Sequence, residues 1–101
     1  MNYLHPDFKK KIREITDLSS KVNKYDKQKV LSMIKEHIIE IEERYNNCDD
    51  HWSIETCDLI VLCFELLMLE NKDIDMLFDR CIPRFDKKLL GLAKDMNIQI
   101  S

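Results

Sequence analysis

The chain has 101 residues, a formal net charge of −3, and hydrophobic and charged fractions of 45% and 35%. This length predicts one domain over residues 1–101, because a second core would have too little chain to bury. The single glycine and two prolines leave little material for tight turns, which favours an all-α fold. The net negative charge provides no overall field for a nucleic acid polymer, so we do not expect one as a partner.

Hydropathy argues against membrane insertion and export. No segment reaches the roughly 20 apolar residues of a membrane span, and the run from 59 to 69 is interrupted by Glu65. The N-terminal segment carries charges where a signal peptide requires an apolar core. We therefore expect a soluble, cytoplasmic protein without membrane contact, and its four cysteines are expected to be thiols.

The first predicted helix runs from about Pro6 to Lys21. Pro6 suits the first helical position, and Asn23 is the expected stop because asparagine tolerates left-handed backbone. An apolar stripe at helical spacing is expected to face the core, and it consists of Phe8, Ile12, Ile15, Leu18 and Val22.

The second predicted helix follows Asp26, a plausible N-cap, and ends at Asn46 and Asn47. Its apolar stripe consists of Val30, Ile34, His37 or Ile38, Ile41 and Tyr45. Ile39 lies on roughly the opposite side, so this helix is expected to meet neighbours in two directions, and a partner chain could cover that side.

The third predicted helix begins near 51–53 and continues to about Glu70. Its run LIVLCFELLMLE is apolar on nearly every face, which is typical of a helix surrounded by others. Asp73 then caps a fourth helix, which Pro83 should kink or split because proline removes an intrahelical bond. The apolar stripe of the fourth helix consists of Leu77, Phe78, Cys81, Phe85, Leu89, Leu92 and Met96. Together the four segments predict a helical bundle.

Two pairs of acidic residues carry the predicted chemistry: Glu40 with Glu43, and Glu55 with Asp58. Each pair is three residues apart and shares a helix face. Antiparallel helices can bring the two faces together, and four carboxylates would then repel one another unless divalent cations lay between them. Oxygen ligands of this kind suit Mg²⁺ or Mn²⁺. Asp58 opens an apolar run, where a free carboxylate is costly to bury.

Two simpler interpretations stay open for these acids. On the second helix the glutamates can form an ordinary solvated face. On the third helix Glu55 and Asp58 can merely favour the positive end of the helix dipole, although this explains Glu55 better than Asp58.

The pattern Glu40-x-x-Glu43, eleven residues, then Glu55-x-x-Asp58 resembles the MazG-like nucleotide pyrophosphohydrolases, an all-α superfamily. The resemblance extends to the order of four helices, to HWSIETCDLIVLCFELL after the loop and to RCIPRFDKKL in the last helix. It implies that the four carboxylates bind Mg²⁺ and act in catalysis, and that water cleaves a nucleoside triphosphate between its α- and β-phosphates to release pyrophosphate. It also implies a homodimer or homotetramer.

The chain departs from this family at Ile39, where a further glutamate is often found. A non-catalytic protein that binds or sequesters a nucleotide on the same scaffold is therefore the alternative function. A third candidate function is that of a helical protein-interaction module. Under this hypothesis the four acids are dispensable for partner binding.

Further residues are candidates for contacts with the nucleotide. Arg84, Lys87 and Lys88, with Arg80, can neutralise phosphate charge, or they can form a solvated basic face. Trp52 can stack on a base, with His51 beside it, and Asn47 or Asn46 can bond the base edge; the alternatives are a packing anchor and a helix end.

Two other features concern acidic and cysteine residues near these candidates. Glu65 is either an accessory acid near the site or half of a buried ion pair with the fourth helix. The set Cys48, His51, Cys57 and Cys63 lacks the paired spacing of a zinc site, so zinc is disfavoured.

Overall fold

Four α-helices follow one another in the computed structural model, which describes residues 3–99. They are α1 (Pro6–Val22), α2 (Lys27–Asn46), α3 (Trp52–Leu69) and α4 (Ile74–Asp95). Residues 3–99 contain no β-strand, so the predicted all-α class is confirmed. Wherever the sequence predicts a helix end, the observed end lies within about one residue of it.

Side-chain caps explain why the helices begin where they do. The Asp26 carboxylate accepts a hydrogen bond from the Lys29 backbone N–H at 3.1 Å, and Asp73 accepts one from Met76 at 3.2 Å. Each bond satisfies a backbone donor that has no partner within its own helix. The predicted caps of α2 and α4 are therefore confirmed.

The chain divides into two compact units. The first comprises residues 4–72 and contains α1, α2 and α3, with α3 packed against both α2 and α1. The second comprises Tyr3 and residues 73–99 and contains α4. That helix continues through Pro83 as a single element, so it is not split there. Because the chain divides in this way, one domain over residues 1–101 stays a prediction.

The apolar core of the three-helix unit is small. Its buried apolar residues are Ile12 from α1, Val30 from α2, and Leu62 and Phe64 from α3. The Phe8 ring meets Phe64 edge to face, with 6.5 Å between ring centroids. Every helix of this unit thus contributes to one core, and α3 contributes most.

The face that α1 buries is not the predicted apolar stripe. Of the five stripe residues only Ile12 is buried, while Leu18 and Val22 are 64% and 69% exposed. The buried positions also include Thr16 and Ser20, whose small hydroxyl side chains allow a neighbouring helix to approach closely. The predicted orientation of α1 is therefore wrong, although its bounds are right.

A buried carboxylate on α3 explains the orientation of α1. Glu65 is 0% exposed, and its Oε2 accepts a hydrogen bond from the Asn23 side-chain amide at 3.3 Å, while Oε1 has no hydrogen-bond partner among residues 3–99. Asn23, which also caps the end of α1, is itself buried. A buried carboxylate is costly without a donor, so α1 turns its polar face toward it. Within residues 4–72, the hydrogen-bond partner of Glu65 is this amide, and an ion pair with α4 stays a prediction.

None of the helices in residues 3–99 has the length and apolar character needed to cross a membrane. Many large apolar side chains are nevertheless exposed, among them Phe85, Leu89 and Met96 of α4. In the second unit the Tyr3 ring meets Phe78 edge to face at 6.1 Å. Exposed apolar surface of this extent is typical of contact with another molecule.

We expect Asn23→Ala to lower the free energy of unfolding by about 1–3 kcal/mol, because it removes the donor to a buried carboxylate. Urea denaturation followed by circular dichroism measures this change. Asn46→Ala, at the exposed end of α2, is the matched control and should change stability by less than about 0.5 kcal/mol. Equal effects of the two substitutions would contradict a special role for the Asn23–Glu65 contact.

Candidate metal centre

Helices α2 and α3 form an antiparallel hairpin. Tyr45 near the end of α2 contacts Trp52 at the start of α3, and His37, two turns earlier, contacts Glu55. The contacts thus run in opposite directions along the two helices, as the four-carboxylate hypothesis requires. The hairpin places residues of both helices around Glu55.

Asp49 organises the loop between these helices. Its Oδ2 accepts a hydrogen bond from Arg44 Nη1 at 3.0 Å, and its Oδ1 accepts one from the His51 backbone N–H at 3.0 Å. The His51 N–H and the Arg44 guanidinium hold the pKa of the Asp49 carboxyl below its ordinary value. Cys48 has a φ of 57°, which turns the chain into the loop. Asp49 therefore fixes the position of His51, the residue that precedes α3.

Trp52 packs against Tyr45. The two rings meet edge to face, with centroids 5.4 Å apart, and Trp52 is half-buried. This contact agrees with the packing-anchor interpretation. Asn47 is the exposed C-cap of α2, and its backbone N–H donates to the Glu43 carbonyl at 3.0 Å. Contact of Trp52 or Asn47 with a base stays a prediction.

Glu55 is the buried carboxylate at the centre of this region. The residue is 8% exposed and lies in the first turn of α3, where the helix dipole favours negative charge. Its Oε2 lies 3.5 Å from His37 Nε2, and its Oε1 lies 3.4 Å from His51 Nε2. Each oxygen of the carboxylate therefore faces a different imidazole.

Asp58 completes a group of possible metal ligands. One ligand atom from each of His37, Glu55 and Asp58 can be chosen so that all three lie within 4.8 Å of one another. We call these three residues the His37 group. Asp58 is exposed, His37 is half-buried and Glu55 is buried, so the group opens toward solvent on one side. An imidazole and two carboxylates are all common ligands of divalent cations in proteins.

Two of the four predicted acids thus lie together, and the other two are not part of the His37 group. Glu40 is half-buried and Glu43 is exposed, both on α2. Glu40 lies one turn beyond His37, so these two residues share a helix face. Metal binding by Glu40 and Glu43 stays a prediction.

The sequence analysis places His37 only in the apolar stripe, and not among the candidate ligands. The spacing of the residues does point to such a role, because His37 precedes Glu40 by three residues on α2, just as Glu55 precedes Asp58 on α3. Of the stripe alternatives, His37 is the more buried and Ile38 is 50% exposed. The helix therefore turns the imidazole inward.

The predicted phosphate contacts lie in the second unit. Arg84, Lys87 and Lys88 are exposed and line a shallow depression along one side of α4, together with Phe85 and Leu92. The structure brings the three cations together on one helix face. Their binding of phosphate stays a prediction.

All four cysteines lie within residues 3–99 and are free thiols, as predicted. None of them belongs to the His37 group. Partial burial raises the pKa of the Cys63 thiol above its ordinary value.

No family model matches the chain, and no curated protein or solved structure matches it either.

We expect Asp49→Asn to lower the melting temperature at pH 6, because it removes the negative charge that Arg44 and the His51 N–H stabilise. The pKa of Asp49 is lowered on folding, so its stabilisation is complete above the ordinary value of 3.8 and is lost as pH falls through the lower folded value. Thermal melts between pH 2 and 6 should therefore show the wild type and the variant converging at acid pH.

Asp50→Asn, at the exposed neighbouring position, is the control for this experiment and should follow the wild type throughout. A gap between wild type and Asp49→Asn that stays constant from pH 6 to pH 2 would contradict the role of the Asp49 charge.

Proposed function

We propose that the protein is a divalent-metal-dependent nucleoside triphosphate pyrophosphohydrolase, which converts a nucleotide to its monophosphate and pyrophosphate. The observation that carries this proposal is the buried Glu55 carboxylate, with ligand atoms of His37, Glu55 and Asp58 all within 4.8 Å of one another. The resemblance of the four acids to the MazG-like pattern supplies the substrate class. The ion that this resemblance implies is Mg²⁺, with Mn²⁺ as the alternative.

The residues of the chain have distinct tasks in this proposal. Glu55 and Asp58 hold the ion, and Glu40 and Glu43 complete the carboxylate set from α2. A bound divalent ion supplies charge neutralisation at the phosphates and lowers the pKa of water. Water then adds to the α-phosphorus, the bond to the bridging oxygen breaks, and a carboxylate takes the proton. No covalent nucleophile of the protein is required.

The remaining candidates form two further groups of residues. Arg84, Lys87 and Lys88 on α4 are proposed to bind phosphate, since guanidinium and ammonium groups form strong hydrogen bonds with phosphate oxygens. Trp52 and Asn47 lie at the loop end of the hairpin. Trp52 is one turn of α3 before Glu55, and Asn47 caps the end of α2. That position suits contact with the base.

A second candidate function is nucleotide binding without cleavage. Ile39 stands where the resembling family often has a further glutamate, and it is 56% exposed on α2. An exposed isoleucine can neither bind a metal ion nor accept a proton. If this position is needed for turnover, the same scaffold holds a nucleotide intact.

We expect the purified protein with Mg²⁺ or Mn²⁺ to release pyrophosphate from at least one member of a panel of ribo- and deoxynucleoside triphosphates. Glu55→Gln should abolish release, because an amide cannot replace the negative charge at the ion. Glu42→Gln, on the exposed part of α2, is the matched control and should retain activity. Recovery of the nucleotide intact from a tight complex would favour binding alone, and neither binding nor release would refute both functions.

We also propose that the protein forms a homodimer or homotetramer through α4. Its apolar residues alternate four and three apart, which is the heptad spacing of a helix that packs along a partner helix. The five members of this seam are all exposed, and they are Ile82, Phe85, Leu89, Leu92 and Met96. A second copy presents the same apolar seam, so two α4 helices can cover each other.

Sedimentation equilibrium tests this assembly with two neighbouring leucines. Leu89→Glu places a charge in the seam and should raise the monomer–dimer dissociation constant by at least about 100-fold, since a buried unpaired charge costs several kcal/mol. Leu90→Glu, exposed but outside the seam, should leave the mass unchanged. A monomeric wild type would contradict self-association.

A further inference from the structure

We propose that His37 is a metal ligand, and that its imidazole makes the site select a first-row transition-metal ion over Mg²⁺. Mn²⁺ is the member of this class that the proposed function already admits, and Co²⁺ and Zn²⁺ belong to it as well. The inference rests on the proposed function only in taking Glu55 and Asp58 as metal ligands. To the proposed function the inference adds a nitrogen ligand, His37, and the class of metal ion that the site prefers.

The tautomer of His37 directs a lone pair at Glu55. The ring Nδ1 lies 2.9 Å from the Met33 backbone carbonyl, and a carbonyl oxygen can only accept a hydrogen bond. Nδ1 therefore carries the proton, and in the neutral ring Nε2 presents its lone pair. Histidines that bind metals are typically held in this way by a backbone carbonyl.

The spacing between His37 and Glu55 suits two ligands of one ion. Nε2 and Oε2 are 3.5 Å apart, which is longer than a well-formed hydrogen bond. Metal–ligand bonds of about 2.0–2.2 Å place adjacent ligands about 2.8–3.6 Å apart and opposite ligands about 4.0–4.4 Å apart. The 4.8 Å span of the His37 group exceeds this by a few tenths of an ångström. Asp58 is exposed and can close that gap by rotating its side chain.

His51 is a positioning residue for this site. Its Nε2 lies 3.4 Å from Glu55 Oε1, the oxygen that faces away from His37. The backbone of His51 is held by Asp49, and its side chain makes no cap bond to α3. The imidazole is therefore available to orient Glu55 so that Oε2 faces the ion. Groups that orient ligands in this way typically contribute about 10–100-fold to metal affinity.

The mixed set of donors determines which ion is favoured. Mg²⁺ binds oxygen ligands in a strict octahedral arrangement and usually keeps several waters. Imidazole nitrogen suits transition-metal ions. The affinity of mixed nitrogen and oxygen sites for these ions rises from Mn²⁺ to Co²⁺, and Zn²⁺ also binds imidazole well. Three protein ligands also leave coordination positions open, as in catalytic metal sites. Water and a phosphate oxygen are the ligands that fit those positions.

The rival explanation is a proton on Nε2 in place of a metal ion. His37 would then be an imidazolium paired with the Glu55 carboxylate, and the pair would stabilise the hairpin without binding a metal. The two explanations differ in what His37 contributes to metal affinity, so a metal titration distinguishes them.

The experiment is a Co²⁺ titration of the whole chain, followed by the visible d–d absorption, together with calorimetry of Mn²⁺ and Mg²⁺. Wild-type protein should bind Mn²⁺ at least 10-fold more tightly than Mg²⁺. His37→Gln should weaken Co²⁺ and Mn²⁺ binding by about 100-fold or more, since loss of a ligand exceeds the effect of an orienting group. It should change Mg²⁺ binding less than threefold. His5→Gln, at the exposed N-cap of α1, is the matched control.

A second pair of variants keeps the test decisive if His37→Gln unfolds. His51→Gln should weaken Co²⁺ binding by about 10-fold, and Asp58→Asn should weaken it more, each with an unchanged circular dichroism spectrum. Metal affinities of the His37, His51 and Asp58 variants equal to that of the wild type would overturn the inference. So would a wild-type preference for Mg²⁺.

Failure of the inference and failure of the proposed function give different results. Metal binding that depends on His37, without pyrophosphate release from any nucleotide, supports the inference and refutes the enzyme. Pyrophosphate release that Mg²⁺ supports fully and that His37→Gln leaves unchanged supports the enzyme and refutes the inference.

Discussion

The burial of two carboxylates on α3 is the constraint around which the three-helix unit is arranged. Because α3 packs against both α1 and α2, Glu55 and Glu65 are both withdrawn from solvent on an otherwise apolar helix. Each needs compensation, since an isolated buried carboxylate is very costly. Glu65 receives it from the Asn23 amide at the end of α1, and Glu55 lies in the first turn of α3, where the helix dipole favours negative charge, with His37 and His51 beside it.

This constraint explains why so much apolar surface is left outside. Helix α1 must present Thr16, Ser20 and Asn23 to α3, so the later part of its apolar stripe, Leu18 and Val22, faces outward. A small core then supports the unit, and the exposed apolar faces of α1 and α4 are available for another molecule. The exposed apolar face of α1 thus has the same cause as the polar contact between α1 and α3, because a helix cannot bury both faces against one neighbour.

The sequence predicts the helices well because their ends depend on local chemistry. Asp26, Asp73 and Pro6 act within one turn of their own positions, so no knowledge of the tertiary structure is needed. The orientation of α1 depends instead on what α3 presents to it, and apolar spacing within α1 contains no information about Glu65. His37 was missed for a similar reason, since its partner lies eighteen residues away on another helix. The Asp49 contacts depend on loop geometry, which residue types alone do not reveal.

The two buried acids also differ in their access to solvent. Glu65 is fully enclosed and is 0% exposed. Glu55 lies in the first turn of α3, with exposed Asp58 one turn away and half-exposed His51 beside it. A carboxylate that is shielded on one side and open on the other can hold an ion strongly and still admit a ligand, because the low dielectric behind it strengthens the attraction. The hairpin end of α2 and α3 therefore combines a buried carboxylate with access from solvent, and the Asn23–Glu65 contact lacks that access.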